Sequence, residues 1–151
     1  SAAEPLPVLV AEPSQIARWT PAAKTPGLCE IAALWPAALT LVVDIAEPIA
    51  ASAGQRSLAV RVPAHARLRG LLADVDLPVT ATSANRSGKP SLCDPDEVAH
   101  LLAQTDAVVI DDGPLPGGPP STLVRYDAAT AGFNVLREGA YPPHLLRNTG
   151  R

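Results

Sequence analysis

The sequence predicts an α/β (α+β) protein: a twisted mixed β-sheet flanked by helices, in a single domain spanning 1–151. Three observations carry this. Short Val/Ile/Leu-rich runs alternate with amphipathic stretches, so helices should cover a sheet. The last two strand-like runs, "STLVRY" and "FNVLREG", follow each other too closely for a parallel crossover, which makes the sheet mixed. The chain has 151 residues, 47% of them hydrophobic, enough to bury one core. With only 3% aromatics, that core must be built from Leu, Val, Ile and Ala.

The elements follow in order. "LPVLV" (Leu6 to Val10) is a short buried strand candidate. Ser14 can cap a short helix running through Trp19. "PGLCEIAALW" (Pro26 to Trp35) sets Leu28, Ile31, Ala32 and Trp35 on one helical face, and Pro36 stops it. "LTLVVDI" (Leu39 to Ile45) reads as a strand, and the Ala/Pro/Gly-rich stretch from Ala46 to Gly54 as a connection. In "SLAVRVP" (Ser57 to Pro63), Leu58, Val60 and Val62 point one way and Ser57, Ala59 and Arg61 the other. "AHARLRGLLADV" is an amphipathic helix, and "LPVTA" (Leu77 to Ala81) a buried strand. "DPDEVAHLLAQ" opens with a strong helix start: Asp94 as N-cap, Pro95 next and Glu97 three residues after the cap. "DAVVID" (Asp106 to Asp111) reads as a further strand before the Gly/Pro loop "DGPLPGGPP". A short helical segment is expected from Tyr141.

Charge and composition narrow the function. The net charge of −3 argues against a broad non-specific nucleic-acid face, while leaving room for a local basic pocket. Cys29 and Cys93 lack metal-ligand spacing and are expected to be buried free thiols. No apolar run reaches the roughly 18 residues a membrane span needs, and no signal peptide is visible, so the cytoplasm is the default compartment. The chain contains no Met and begins at Ser1, so further sequence is expected before it.

The chemistry-bearing residues cluster at strand ends. "TSANRSGKPS" (Thr82 to Ser91) follows a strand and combines hydroxyls, an amide and two cations, Arg86 and Lys89. Ser83 and Asn85 can donate and accept, and Gly88 lets backbone N–H groups turn inward as an anion nest. The residues alone admit either a ligand cradle or a turn built from turn-favouring residues. The glycine spacing fits neither a Walker loop nor a dinucleotide fingerprint. Arg61 sits mid-strand, where a guanidinium can hold a carboxylate or phosphate bidentately or simply be solvated. Ser121 and Thr122 open a strand, and Arg137 precedes Gly139. His65 sits at a strand-to-helix joint, and His100 and His144 show no metal spacing. Asp111 and Asp112 form an acidic turn that could also hold Mg2+. No nucleophilic triad is present, and no residue is singled out as catalytic.

Taken in order, "LWPAALTLVV", "SLAVRVPAH", "LPVTATSANRSGKPS", "DEVAHLL", "AVVIDDGPLPGGPPSTLV" and "VLREG" resemble the Sua5/YciO/YrdC family, over about Leu6 to Gly139. The resemblance implies a YrdC-like domain with a concave, positively charged cavity. It implies an L-threonylcarbamoyladenylate synthase, a nucleotidyltransferase that makes threonylcarbamoyl-AMP and pyrophosphate from L-threonine, bicarbonate and ATP, with Mg2+. A separate tRNA threonylcarbamoyltransferase machinery then forms t6A at adenosine 37, and contact with tRNA or double-stranded RNA is a further implied partnership. By motif position, Ser83 and Asn85 contact nucleotide, Arg61 and Arg137 bind the adenylate near phosphate, and Ser121 lies on the threonine side. The family's "PTDTVYGL"-like strand and "KxR" motif are not in this sequence. In the register of "EPLPVLV" the KxR pair falls immediately before Ser1, so the domain is expected to be N-terminally incomplete and weakly active alone. "WPAALT" stands for the usual "WPGPLT", and Pro120 stands where an acidic residue is frequent. Two relatives compete with the synthase: a non-catalytic nucleotide- or RNA-binding YciO-like protein, and the YrdC-like domain of a carbamoyltransferase.

Overall fold

The computed structural model describes residues 5–127, 129, 130 and 132–146. They form two compact units, one of residues up to Ala81 together with those from Pro120 onward, the other Thr82–Pro119.

The first unit contains a six-stranded sheet. Its strands are β1 (Val8–Leu9), β2 (Leu39–Asp44), β3 (Ser57–Arg61), β4 (Val79–Thr80), β5 (Thr122–Asp127) and β6 (Gly132–Arg137). Their spatial order is β4-β1-β3-β2-β5-β6. The β1–β3 and β2–β5 pairs are parallel, and β1–β4, β2–β3 and β5–β6 are antiparallel. The mixed sheet expected from the sequence is therefore present.

One face of the sheet packs the core. Leu58 and Val60 on β3, Leu41 and Val43 on β2, and Val124 and Tyr126 on β5 are all buried. Helix α1 (Pro26–Ala32) lays Leu28, Ile31 and Ala32 against them, the i, i+3, i+4 stripe of an amphipathic helix. Trp35 closes the layer, and its indole N–H donates to the Leu39 carbonyl at 2.7 Å, so the one polar atom of a buried ring is satisfied. The segment expected as a helix from Ser14 is a 3-10 turn, Pro13–Arg18, capped by Glu12 instead. Pro21 holds the residue before it, Thr20, in the extended region at φ −130° and ψ 129°, so the segment stays short.

Helix α2 (Ala66–Val75) begins at His65, whose Nδ1 accepts the Leu68 N–H at 3.3 Å. It ends at Asp76, in the left-handed region at φ 48°. Arg18 and Gln15 reach the Asp76 carboxylate at 3.2 and 3.3 Å and fix that turn. Strand β4 departs from expectation. "LPVTA" was expected to be buried, yet only Val79–Thr80 pair, and Leu77 and Val79 are exposed. As an edge strand, β4 has a neighbour on one side only.

In the second unit, α3 (Pro95–Leu102) starts as its sequence dictates: Asp94 Oδ1 accepts the Asp96 N–H at 2.9 Å, and Pro95 occupies the first helical position. "DAVVID" forms no strand. Val108 and Ile110 are 85% and 68% exposed, and the run is not among the six paired strands. β-propensity cannot by itself satisfy backbone N–H and C=O groups; a strand needs a paired neighbour. No residue of the second unit, Thr82–Pro119, is fully buried.

The expectation of buried thiols is also corrected. Cys29 is exposed and Cys93 half-buried, and both are free. Cys29 lies one residue past Leu28 on α1, about 100° around the helix from the buried stripe.

Candidate functional site

The second face of the first unit's sheet carries a polar row. Thr40 pairs with Leu123, and Leu123 with Arg137. On β3, Arg61 follows Val60, which pairs with Leu41. Side chains alternate along a strand, so Arg61 and Thr40 share the face opposite Val60 and Leu41. Arg61, Thr40, Leu123 and Arg137 therefore run across four adjacent strands, and Ser121 joins through its hydroxyl, 2.7 Å from Thr40 Oγ1. At the ordinary strand spacing, β3 and β6 lie about 14 Å apart. Two long arginines at that separation can grip the two ends of one elongated ligand.

Arg61 is half-buried, and desolvation pulls its guanidinium below the ordinary arginine value. It stays cationic at neutral pH. Its Nε donates to the Ala37 carbonyl at 3.2 Å. No carboxylate among the described residues bridges it. Arg18, Arg56, Arg69 and Arg125, by contrast, each face one at 2.6 to 3.8 Å. Arg61 is thus oriented by the backbone with its charge left uncompensated, a state suited to an anionic ligand.

Arg137 is tied to the mouth of β5: Nη2 donates to the Ser121 carbonyl at 2.9 Å. The chain leaving β6 closes on the same spot. The Ala140 N–H donates to the Pro120 carbonyl at 2.8 Å, and the Gly139 N–H to Thr122 Oγ1 at 3.0 Å. The Thr122 hydroxyl in turn donates to the Tyr141 carbonyl at 2.6 Å. Only glycine fits at 139, because a Cβ there would meet the Pro120 carbonyl oxygen at 2.2 Å.

Ser83 and Asn85 lie in the second unit, within the loop after β4, and are joined to each other: the Ser83 hydroxyl donates to Asn85 Oδ1. Asn85 Nδ2 donates to the Arg86 and Lys89 carbonyls at 2.9 and 3.0 Å, so its amide nitrogen is spent on the loop itself. The Leu92 N–H closes the loop onto the Ala84 carbonyl at 2.8 Å. A groove of about 500 Å3 in this unit is lined by Arg86, Lys89, Asp96, Glu97 and His100 among others, and not by Ser83 or Asn85. His65 is a helix cap, and Asp111 Oδ1 accepts the Gly113 N–H of its own turn at 2.8 Å. The sheet brings the candidates Arg61 and Arg137 onto one face, and Ser121 joins them there through Thr40. In the sequence Thr40 is marked only by a single hydroxyl inside the otherwise apolar run "LTLVVD". The clasp of Thr122 and Gly139 exists only once β5 and β6 are paired, and no residue type announces it.

The chain is an α/β protein whose mixed sheet packs its core on one face and carries Arg61, Thr40 and Arg137 on the other. The Sua5/YciO/YrdC family model, described as "Telomere recombination", matches residues 1–139. The chain belongs to this family. It is 37% identical over 124 residues to the threonylcarbamoyl-AMP synthase of Bacillus subtilis strain 168, covering 80% of this chain and 36% of that protein. It superposes on the crystal structure of Pyrococcus abyssi Sua5 complexed with L-threonine with a TM-score of 0.82 at 30% identity, covering 99% of this chain and 44% of that one. Escherichia coli YciO shares the fold at a TM-score of 0.77 and 20% identity, over 97% of this chain and 71% of that one. The chain thus spans less than half the length of the first two.

Proposed function

We propose that the chain is the nucleotide- and threonine-handling part of an L-threonylcarbamoyladenylate synthase. The threonine amine and bicarbonate condense to a carbamate with loss of water. A carbamate oxygen then attacks the α-phosphorus of ATP, the bond from that phosphorus to the bridging oxygen breaks, and pyrophosphate leaves. The reaction needs alignment and charge neutralisation more than a protein nucleophile. Arg61 and Arg137 serve the phosphate and the adenylate, and Ser121 the threonine side. Ser83, already donating to Asn85, keeps its oxygen free to accept from an adenine amine or ribose hydroxyl, and Asn85 holds the loop in shape. Among the described residues no three acidic, His or Cys side chains cluster to hold a metal. Mg2+ would therefore arrive on the triphosphate, which is its usual mode with nucleotides. The product would pass to the tRNA threonylcarbamoyltransferase machinery in the cytoplasm.

The observation that carries this is the row of Arg61, Thr40 with Ser121, and Arg137 on one face of the sheet; the relatives' names supply the substrates. The test is pyrophosphate release with ATP and bicarbonate, with and without L-threonine. Threonine-dependent release supports the synthase. ATP binding that threonine leaves unaffected would reassign the chain to a non-synthase nucleotide-binding relative, and turnover with carbamoyl phosphate instead would reassign it to a carbamoyltransferase.

A further inference from the structure

We infer that Thr40 is a positioning residue that fixes the proton of Ser121, so that Ser121 meets its ligand as a donor. Thr40 is 4% exposed. Among the described residues the Thr40 hydroxyl has one hydrogen-bond partner, Ser121 Oγ at 2.7 Å. A buried hydroxyl whose proton finds no acceptor costs the desolvation of that group. Ser121 is only half-buried and can turn its own proton outward. The satisfied arrangement is therefore unique: Thr40 donates, Ser121 accepts, and the Ser121 proton faces the open side.

The backbone around the pair is pinned. Thr40 sits on β2 in register with Leu123 of β5, and the Ser121 carbonyl is held by Arg137 at 2.9 Å. With its main chain pinned and one lone pair taken by Thr40, Ser121 has its proton available for a ligand atom that accepts, such as a carboxylate or carbamate oxygen. For the proposed threonine-side role of Ser121, on which the ligand half of this inference rests, the group that takes this proton is the amino acid's carboxylate or the carbamate oxygen.

Two measurements test it, one of them independent of any ligand. In the ligand-free protein, NMR should detect a slowly exchanging Thr40 hydroxyl proton, and Ser121→Ala should abolish its protection. A rapidly exchanging Thr40 hydroxyl in the wild-type chain overturns the donor assignment. The second measurement is L-threonine titration followed by chemical shift. Thr40→Val, which keeps the shape and removes the donor, should weaken threonine on the order of tenfold while leaving AMP affinity unchanged. Thr40→Ser should restore it, and Thr40→Val combined with Ser121→Ala should be no weaker than Ser121→Ala alone. Equal threonine affinity in wild type and Thr40→Val overturns the inference while leaving the synthase intact. If wild type shows no threonine-induced shift, the threonine-side role of Ser121 falls, and the hydroxyl measurement alone decides the donor direction.

Discussion

Replacing Gly139 with alanine tests whether the mouth of β5 and the exit of β6 form one clasp. A Cβ at this position would lie 2.2 Å from Pro120 O, 2.7 Å from Ser121 C and 2.8 Å from Ser121 O. All three are backbone atoms, so no side chain can swing aside. To restore ordinary contact the two segments must part by about 1 Å. That movement breaks the Ala140 bond to Pro120, the Gly139 bond to Thr122 and the Arg137 bond to Ser121. At a net value of about 1 kcal/mol each, the loss is about 3 kcal/mol, the upper end of ordinary overpacking costs. For a chain of this size it corresponds to a fall in Tm of about 6–12 °C. Thermal unfolding followed by circular dichroism measures it, with urea unfolding to check that the slope m is unchanged. A variant that melts with wild type would refute the clasp, and with it the claim that Arg137 is held in place by its own strand's exit.

Two further outcomes follow from charge. Arg61→Met keeps the aliphatic stem and removes an uncompensated cation, so the ligand-free protein should melt at or above the wild-type temperature while AMP affinity falls roughly tenfold or more; thermal shift with and without AMP reads both, and full AMP stabilisation in the variant would count against Arg61 as a phosphate contact. The Asp127 carboxyl is held below the usual carboxylate range by the Ala129 N–H first and the Thr130 hydroxyl second. Because the folded pKa is depressed, the stabilisation is present above the unfolded value of about 3.9 and lost as the pH falls through the folded one. Asp127→Asn should therefore flatten the acid limb of the stability–pH curve; parallel limbs in the two proteins would show that the turn contributes no pH dependence.

Where local physics decides an element, the sequence was legible. The alternation in "SLAVRVP" specified which side chains of β3 are buried and put Arg61 on the other face, because a one-residue slip would expose Leu58 and Val60. Asp94 and Pro95 announced α3 for an equally local reason. Elements that depend on a distant neighbour were not legible. "DAVVID" has every intrinsic mark of a strand and forms none, since pairing is a property of two segments. "LPVTA" was read as buried from its apolarity, but burial depends on what packs against it, and an edge position leaves Val79 exposed. The same distinction separates the site residues. Arg61, Ser121 and Arg137 stand out by type. Thr40 looks like any β-branched strand residue until β2 and β5 are put in parallel register, and Gly139 matters only because Pro120 approaches it.

The distribution of the arginines sets Arg61 apart from those that face carboxylates. Arg18, Arg56, Arg69 and Arg125, exposed or partly exposed on the first unit, have carboxylate partners. Surface pairs of this kind contribute little, about 0–1 kcal/mol, and losing one would go nearly unnoticed. Arg61, the more desolvated cation, has only a backbone carbonyl for its Nε. If stability alone governed this position, β3 would carry an apolar or small residue there, as it does at Ala59 on the same face. A rigid strand that holds an unneutralised guanidinium is stabilised when an anion arrives, because the ligand provides the counter-charge that the fold withholds. Nucleotide and amino-acid carboxylate both bring that charge, so at equal concentration either should stabilise the protein more than a neutral analogue of the same shape, which binds more weakly.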